Sequence, residues 1–312
     1  MRFLPSCLLC LIVGFCAQAQ QYPRDTSYTL QSAYKKYVKY YPDIEPVAPL
    51  LPKGVQADFN TVYKNTGSRD LHLDIFKPEK IQGPMPLVLL VHGGGWQSGS
   101  KELMQPLAMH LAAKGFVTVC VEYRLSLEAP YPAAVYDIKY ALKWLRSHAE
   151  TYHIDAGKMA ILGTSAGGQL ASLVGTTGNE SYFEDESDTL KVSTEVHAIV
   201  DIDGVLAFIH KDSDESSVAA RWMGGDSTHA RSTWLEASAL THANENTPPM
   251  LFLASKYPRF LAGRQDVIAI LDKHNIYNET HFLEDAPHSF WLFEPWFTPT
   301  LQYVEVFLKK VL

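Results

Sequence analysis

The stretch at residues 159–170, MAILGTSAGGQL, limits the fold of this chain more than any other. An apolar run at 159–162 enters a Gly-x-Ser-x-Gly turn at 163–167, and a helix-forming segment follows at once. So short an apolar run bounded by glycines suits a strand buried on both faces. A serine on a sharp strand-to-helix turn takes strained backbone angles, and only small neighbours let strand and helix come that close. The turn lifts the Ser165 hydroxyl out of the sheet and leaves it at the positive end of a helix. A glycine-rich packing turn would account for the glycines but not for the strand before them and the helix after. The segment predicts a nucleophile at the edge of a sheet.

The rest of the chain repeats the strand-then-helix alternation. Residues 58–64 and 71–76 read as an antiparallel pair around the turn Asn65-Thr66-Gly67-Ser68. Strands are then expected at 87–91, 116–123, 159–162, 196–202, 250–253 and 280–283. Helices are expected at 103–114, 133–148, 169–174, 267–274 and 301–311. Short apolar strands between amphipathic helices make an α/β fold, a mostly parallel sheet covered on both faces. No repeat of 20–50 residues interrupts the series. Polar insertions at 179–193 and 210–226 fall where lids and substrate walls usually form. One catalytic domain, 58–312, is the economical division. Residues 20–57, rich in Tyr and Pro without a sustained period, are expected to form an extended arm.

The first residues, MRFLPSCLLCLIVGFCAQAQ, have the form of a secretory leader. Arg2 supplies the positive start, 8–15 the apolar centre, and Ala17-Gln18-Ala19 a small-x-small cleavage site. The apolar run is too short to span a bilayer. Cleavage after Ala19 would leave a secreted or periplasmic protein with no membrane anchor. Three of the four cysteines, Cys7, Cys10 and Cys16, lie within this leader. The remaining one, Cys120, cannot form an intramolecular disulfide and is expected to be a small buried hydrophobe on a strand. A net charge of −7 argues against a polyanion-binding surface, so no nucleic acid partner is expected.

A second motif supports the first. Residues 87–96, LVLLVHGGGW, are a strand ending in His92-Gly93-Gly94-Gly95, about seventy residues ahead of the serine. Glycines let backbone N–H groups turn toward a developing negative oxygen with no side chain in the way. Gly94 and Gly95 are the expected donors, with the Ala166 N–H as a third. A phosphate-binding loop would need Lys-Ser/Thr here, and Trp96-Gln97 follow instead.

With these two motifs the chain resembles the α/β-hydrolase superfamily, within the esterases that carry His-Gly-Gly-Gly-Trp and Gly-x-Ser-Ala-Gly-Gly. It is similar to the branch of bacterial carbohydrate esterases, acetyl and feruloyl esterases among them. The likeness runs from about Thr61 to the C-terminus, with further landmarks at 122–125 (EYRL), 131–137 (YPAAVYD) and Pro287-His288. It implies hydrolysis of an ester without a cofactor.

In this fold the general base follows the last strand, which selects His288 from the twelve histidines. His281 lies within that strand, and His92 belongs to the oxyanion loop, where its ring is expected to brace the backbone. No His-Glu-x-x-His or other metal spacing occurs, so no metal is expected. The acid is less direct. The family pattern places an Asp a few residues past the strand at 250–253, but Ser255, Lys256 and Tyr257 stand there. Asp266 preserves the chain order Ser, Asp, His and is the preferred candidate. It also sits at the start of a helix, where an acid favours the dipole in any case. The end of the preceding strand carries Asp201 and Asp203, of which Asp203 is the second candidate, and a bare Ser–His dyad is the third.

Trp96, Trp291 and Arg259 are the expected substrate contacts: aromatic faces for a sugar ring, and a cation in the loop that should carry the acid. The reading is a secreted serine esterase acting on an acylated carbohydrate or small ester, with acetyl groups on a polysaccharide foremost. A serine peptidase, another small-ester or amide hydrolase, and a non-catalytic binding protein on the same fold are the alternatives.

Overall fold

Alternate residues of one strand sort into two separate cores. Leu87, Leu89 and Val91 join one apolar cluster and Val88 and Leu90 the other, as a pleated strand buried on both faces requires. The computed structural model describes residues 24–178, 180–214 and 217–312. The expected leader, 1–19, lies outside the described residues.

In chain order the elements begin with α1 (Leu30–Tyr37), β1 (Glu45–Pro46), β2 (Val55–Asn65), β3 (Asp70–Pro78) and β4 (Met85–Val91). Next come α2 (Gln105–Ala112), β5 (Val117–Val121), α3 (Ala133–Ser147), α4 (Ala149–Tyr152), β6 (Ile154–Thr164) and α5 (Ala166–Thr176). They continue with β7 (Ala198–Ile202), α6 (Ser217–Met223), α7 (Arg231–Glu236), α8 (Ala239–His242) and β8 (Met250–Ala254). Last are α9 (Arg264–Lys273), β9 (Asn278–Phe282), β10 (Phe293–Glu294) and α10 (Phe297–Val311).

The main sheet has the strand order β2-β3-β5-β4-β6-β7-β8-β9. Its first two pairings, β2 with β3 and β3 with β5, are antiparallel, and all later ones are parallel. Helices α3, α5 and α9 bury Ile138, Leu142, Leu170, Leu173, Val267 and Leu271 on one face. On the other, α2 and α10 bury Leu107, Leu111, Val304, Phe307 and Leu308. Each helix thus covers the sheet with one apolar stripe. Cys120 is buried in β5.

Of the polar insertion at 179–193, residues 184 and 188 are tied to α3. Lys143 on α3 bonds Glu184 at 2.7 Å and Asp188 at 2.6 Å. The insertion at 210–226 instead contains α6, which borders the site described below.

The arm is not extended throughout. Thr29 and Ser32 form a reciprocal capping box that starts α1, and Ala33 and Tyr37 pack it on the domain. Further on, β1 pairs antiparallel with β10. An eight-residue helix with two buried positions has too little periodicity to read from sequence.

Candidate active site

Glycine is obligatory beside the serine for a steric reason. A Cβ on Gly163 would lie 1.9 Å from the Gly167 carbonyl oxygen, and one on Gly167 would lie 2.2 Å from that of Val91. Strand β6 and helix α5 therefore meet backbone to backbone. Ser165 between them has φ 55° and ψ −123°, a strained conformation for a residue with a side chain. Its N–H donates to the Ile202 carbonyl at 2.8 Å, and its carbonyl accepts from the Gln169 N–H at 3.0 Å. Those bonds hold the elbow and leave the hydroxyl free to face the cavity.

His288 lies in the loop after β9. Its Nε2 is 2.9 Å from Ser165 Oγ, and its Nδ1 is 2.9 Å from Asp203 Oδ2. A carboxylate at Nδ1 keeps the proton on that nitrogen, so Nε2 is the lone-pair side that faces the serine. Phe260 stacks on the ring at 3.8 Å and 9°, and Trp291 meets it edge-on at 5.2 Å and 89°. Burial pushes the imidazole pKa below its ordinary value and outweighs the hydrogen bond that Nδ1–H donates to Asp203, which acts the other way. The ring is thus a neutral base near pH 7.

The carboxylate at His288 belongs to Asp203, not to Asp266, and this corrects the preferred expectation. Asp203 follows β7 immediately and takes φ 52°, a left-handed conformation that Asp tolerates better than most residues. Its N–H donates to the Leu253 carbonyl at 2.9 Å, and its Oδ1 accepts from the Ser255 N–H at 2.7 Å. The side chain is fully buried. Asp266 is already inside α9, which starts after Gly263 at φ 79°. From the first helical turn its side chain points outward, 54% exposed, and meets His210 Nε2 at 3.2 Å. A helix position cannot swing back as a loop residue would. Asp201 is a separate case. It packs against Gly168 and Gly204 and accepts the Gly204 N–H at 3.0 Å. Burial, with the charge of Asp203 adding to it, raises its carboxyl well above the usual range.

The glycine loop is braced from behind. His92 Nδ1 donates to the Gly93 carbonyl at 2.8 Å. Its ring stacks on Tyr123 at 4.4 Å, and the Tyr123 hydroxyl donates to the His92 carbonyl at 2.7 Å. Burial pushes His92 down to about 4, so it braces as a neutral ring. Gly94 has φ 134° and Gly95 φ 60°. The Gly94 carbonyl accepts from the Ser98 N–H at 3.0 Å, and a Cβ there would lie 2.0 Å from the Ser98 carbonyl oxygen. Gly94, Gly95 and Ala166 line the same cavity as Ser165 and His288, about 510 Å³ in volume. That is ample for a small ester or a sugar residue.

Two of the three expected substrate contacts are corrected. Trp96 borders the cavity, but its ring stacks on Trp222 at 5.0 Å and 10° and packs on Phe208 at 5.4 Å. Its Nε1–H donates to Gln169 Oε1 at 2.8 Å. It is 3% exposed and locks the glycine loop to α5. Trp291 is 3% exposed as well and packs behind His288 outside the cavity lining. An aromatic next to a motif satisfies its own burial first, and no free face is left for a sugar. Arg259 does line the cavity, with its guanidinium 4.5 Å from the Phe260 ring centroid.

Sequence reasoning missed Phe260, Val218 on α6, and the N-terminal wall of Tyr28, Lys36 and Tyr37, all of which line the cavity. Only the wall left a trace in the sequence, the Thr29-x-x-Ser32 capping spacing. Among the described residues no group of three or more His, Cys, Asp or Glu side chains is placed to hold a metal ion. Nor is any described helix long and apolar enough to cross a membrane.

An eight-stranded, mostly parallel sheet carrying a serine elbow, with a histidine after its last strand, defines the α/β-hydrolase fold. Within that class residues 73–265 match the BD-FAE family, and the chain belongs to it. "Probable carboxylic ester hydrolase LipM" of Mycobacterium tuberculosis is 31% identical over 190 residues, 58% of this chain and 44% of LipM. Carboxylesterase NlhH of the same organism is 33% identical over 109 residues, 35% of this chain and 34% of NlhH. The chain thus spans less than half the length of these curated relatives. Among solved structures, a truncated carbohydrate esterase from gut microbiota superposes with TM-score 0.70 at 19% identity, covering 85% of this chain and 99% of that one. The propionate-bound esterase Est2 of Thermogutta terrifontis gives TM-score 0.69 at 24% identity, covering 83% and 95%. At such identities the two structures speak for the fold alone.

Proposed function

We propose that this chain is a carboxylic ester hydrolase working through an acyl-enzyme on Ser165. The observation that carries the reading is the unbroken chain Ser165 Oγ–His288–Asp203, two bonds of 2.9 Å, opening on one cavity with Gly94, Gly95 and Ala166. Ser165 Oγ attacks the ester carbonyl carbon while His288 Nε2 takes its proton. Asp203, holding Nδ1–H, orients the ring and stabilises the imidazolium. The carbonyl oxygen gains a negative charge and is met by the N–H groups of Gly94, Gly95 and Ala166. As the tetrahedral adduct collapses, the C–O bond to the alcohol breaks and His288 gives its proton to the leaving oxygen. Water then repeats the sequence on the acyl-enzyme and releases the acid and free Ser165.

The substrate reading is an acyl group, acetyl foremost, on a polysaccharide. Membership of the BD-FAE family and the ester hydrolases among its curated relatives support hydrolysis of an ester, and the cavity of about 510 Å³ has room for a sugar residue beside the serine. A leader of the form seen at 1–19 supports action outside the cytoplasm. Acetate release from a panel of acetylated polysaccharides tests the substrate class. Ser165→Ala serves as the control and should lower kcat by on the order of 10⁶-fold, with the melting temperature unchanged. Turnover that survives Ser165→Ala would remove the serine from the mechanism.

A further inference from the structure

The cavity wall beside the base is built by chain that precedes the family match at 73–265. The Tyr28 and Ser289 hydroxyls are 2.9 Å apart, and Ser289 is the next residue after His288. Behind them β1 pairs with β10, and the Val47 N–H donates to the Leu292 carbonyl at 3.0 Å. Tyr37 meets the Phe293 ring edge-on at 6.3 Å. Helix α1 is therefore fastened to the loop that carries the base, and it presents Ala33, Lys36 and Tyr37 to the cavity.

The chemistry fixes which half of the substrate lies there. The leaving alcohol takes its proton from His288 Nε2, so its oxygen must lie within hydrogen-bond reach of that atom. The opposite side of the cavity belongs to the oxyanion loop and α6, where a Cβ on Gly95 would come within 3.1 Å of Val218 Cγ1. Two carboxylate residues line the cavity, Asp214 and, at the histidine itself, Asp203. On the histidine side stand Lys36 and Arg259, the latter over Phe260, which itself stacks on His288. Both cations act on the imidazole from there and lower its affinity for a proton. Lys36 is exposed, with its ammonium 5.0 Å from the Tyr37 ring centroid, and no carboxylate lies within ion-pair distance of it among the described residues. A cation at the cavity rim with no carboxylate beside it among the described residues is available to a ligand.

We infer that Lys36 is a specificity-determining residue on the alcohol side, selecting esters whose alcohol carries a carboxylate, as a uronic acid residue does. The inference rests on the esterase reading and names its substrate class more closely.

The test uses two acetate esters of similar size, 4-acetoxybenzoate and 4-acetoxybenzamide, which differ in the charge of the leaving phenol. With the full chain at pH 8 and low salt, Lys36→Gln should lower kcat/KM on the benzoate by about three- to fivefold. The loss should be confined to the charged ester, Lys36→Arg should restore it, and about 0.5 M salt should erase it. An equal loss on both esters, or no loss on the benzoate, would overturn the inference and leave the esterase standing. If the wild type turned over neither ester any faster than Ser165→Ala, the esterase reading itself would fall, and this inference with it.

Discussion

The loops that follow β7 and β8 leave the same edge of the sheet side by side, yet they do opposite work. After β7 the chain bends at its first residue, and Asp203 at φ 52° turns a fully buried carboxylate onto His288. After β8 the chain supplies no acid to the base. It gives the Ser255 N–H that holds Asp203 Oδ1 at 2.7 Å and, through Phe260, the ring that covers His288 at 3.8 Å. One loop carries the charge and the other orients and dries it. A triad needs a carboxylate at the outer imidazole nitrogen with its second oxygen satisfied, and either strand end can provide it. The loop that gives up the acid is then free to become a wall, which here bears Arg259.

The largest effect that would sharpen this contrast is expected at Asp203. Asp203→Asn keeps an acceptor for the Ser255 N–H, so the fold should survive. An amide facing Nδ1 favours the wrong imidazole tautomer, and kcat should fall by on the order of 10³–10⁴-fold. Kinetics on p-nitrophenyl acetate would measure it, and a loss under tenfold would separate Asp203 from the base.

Next in size is Phe260→Ala. Burial is the main cause of the lowered His288 pKa, so kcat/KM of the wild type should fall only as pH drops through a value below 6.5. Removing the ring wets the imidazole, and that acid limb should move upward toward 6.5, with kcat/KM reduced on the order of tenfold by looser positioning. A limb that stayed in place would mean that the β8 loop does not desolvate the base.

The sheet, the elbow, the glycine loop and His288 were legible because each depends on local chemistry: a strand period, small residues at a close approach, a position after the last strand. The acid was not. Its assignment turns on one backbone angle at Asp203 and on Gly263 starting α9 at Arg264, which carries Asp266 out of the loop and into a helix. Neither is visible in a residue's identity. Trp96 and Trp291 show the same limit from another side. Their neighbourhood to the motifs was plain, but the rings that cover Trp96, Trp222 and Phe208, come from distant sequence. The N-terminal wall escaped because a short helix fastened by tertiary contacts leaves almost no periodic trace.

The smallest expected effect is also the most direct test, because chain order alone would give the acid's role to Asp266. Its carboxylate is half exposed and meets His210 rather than His288. Asp266→Asn, assayed for kcat beside the wild type on p-nitrophenyl acetate, should keep at least about half of the activity, as exposed substitutions away from a site do. A fall of several hundredfold or more in a folded Asp266→Asn protein would contradict the assignment of Asp203.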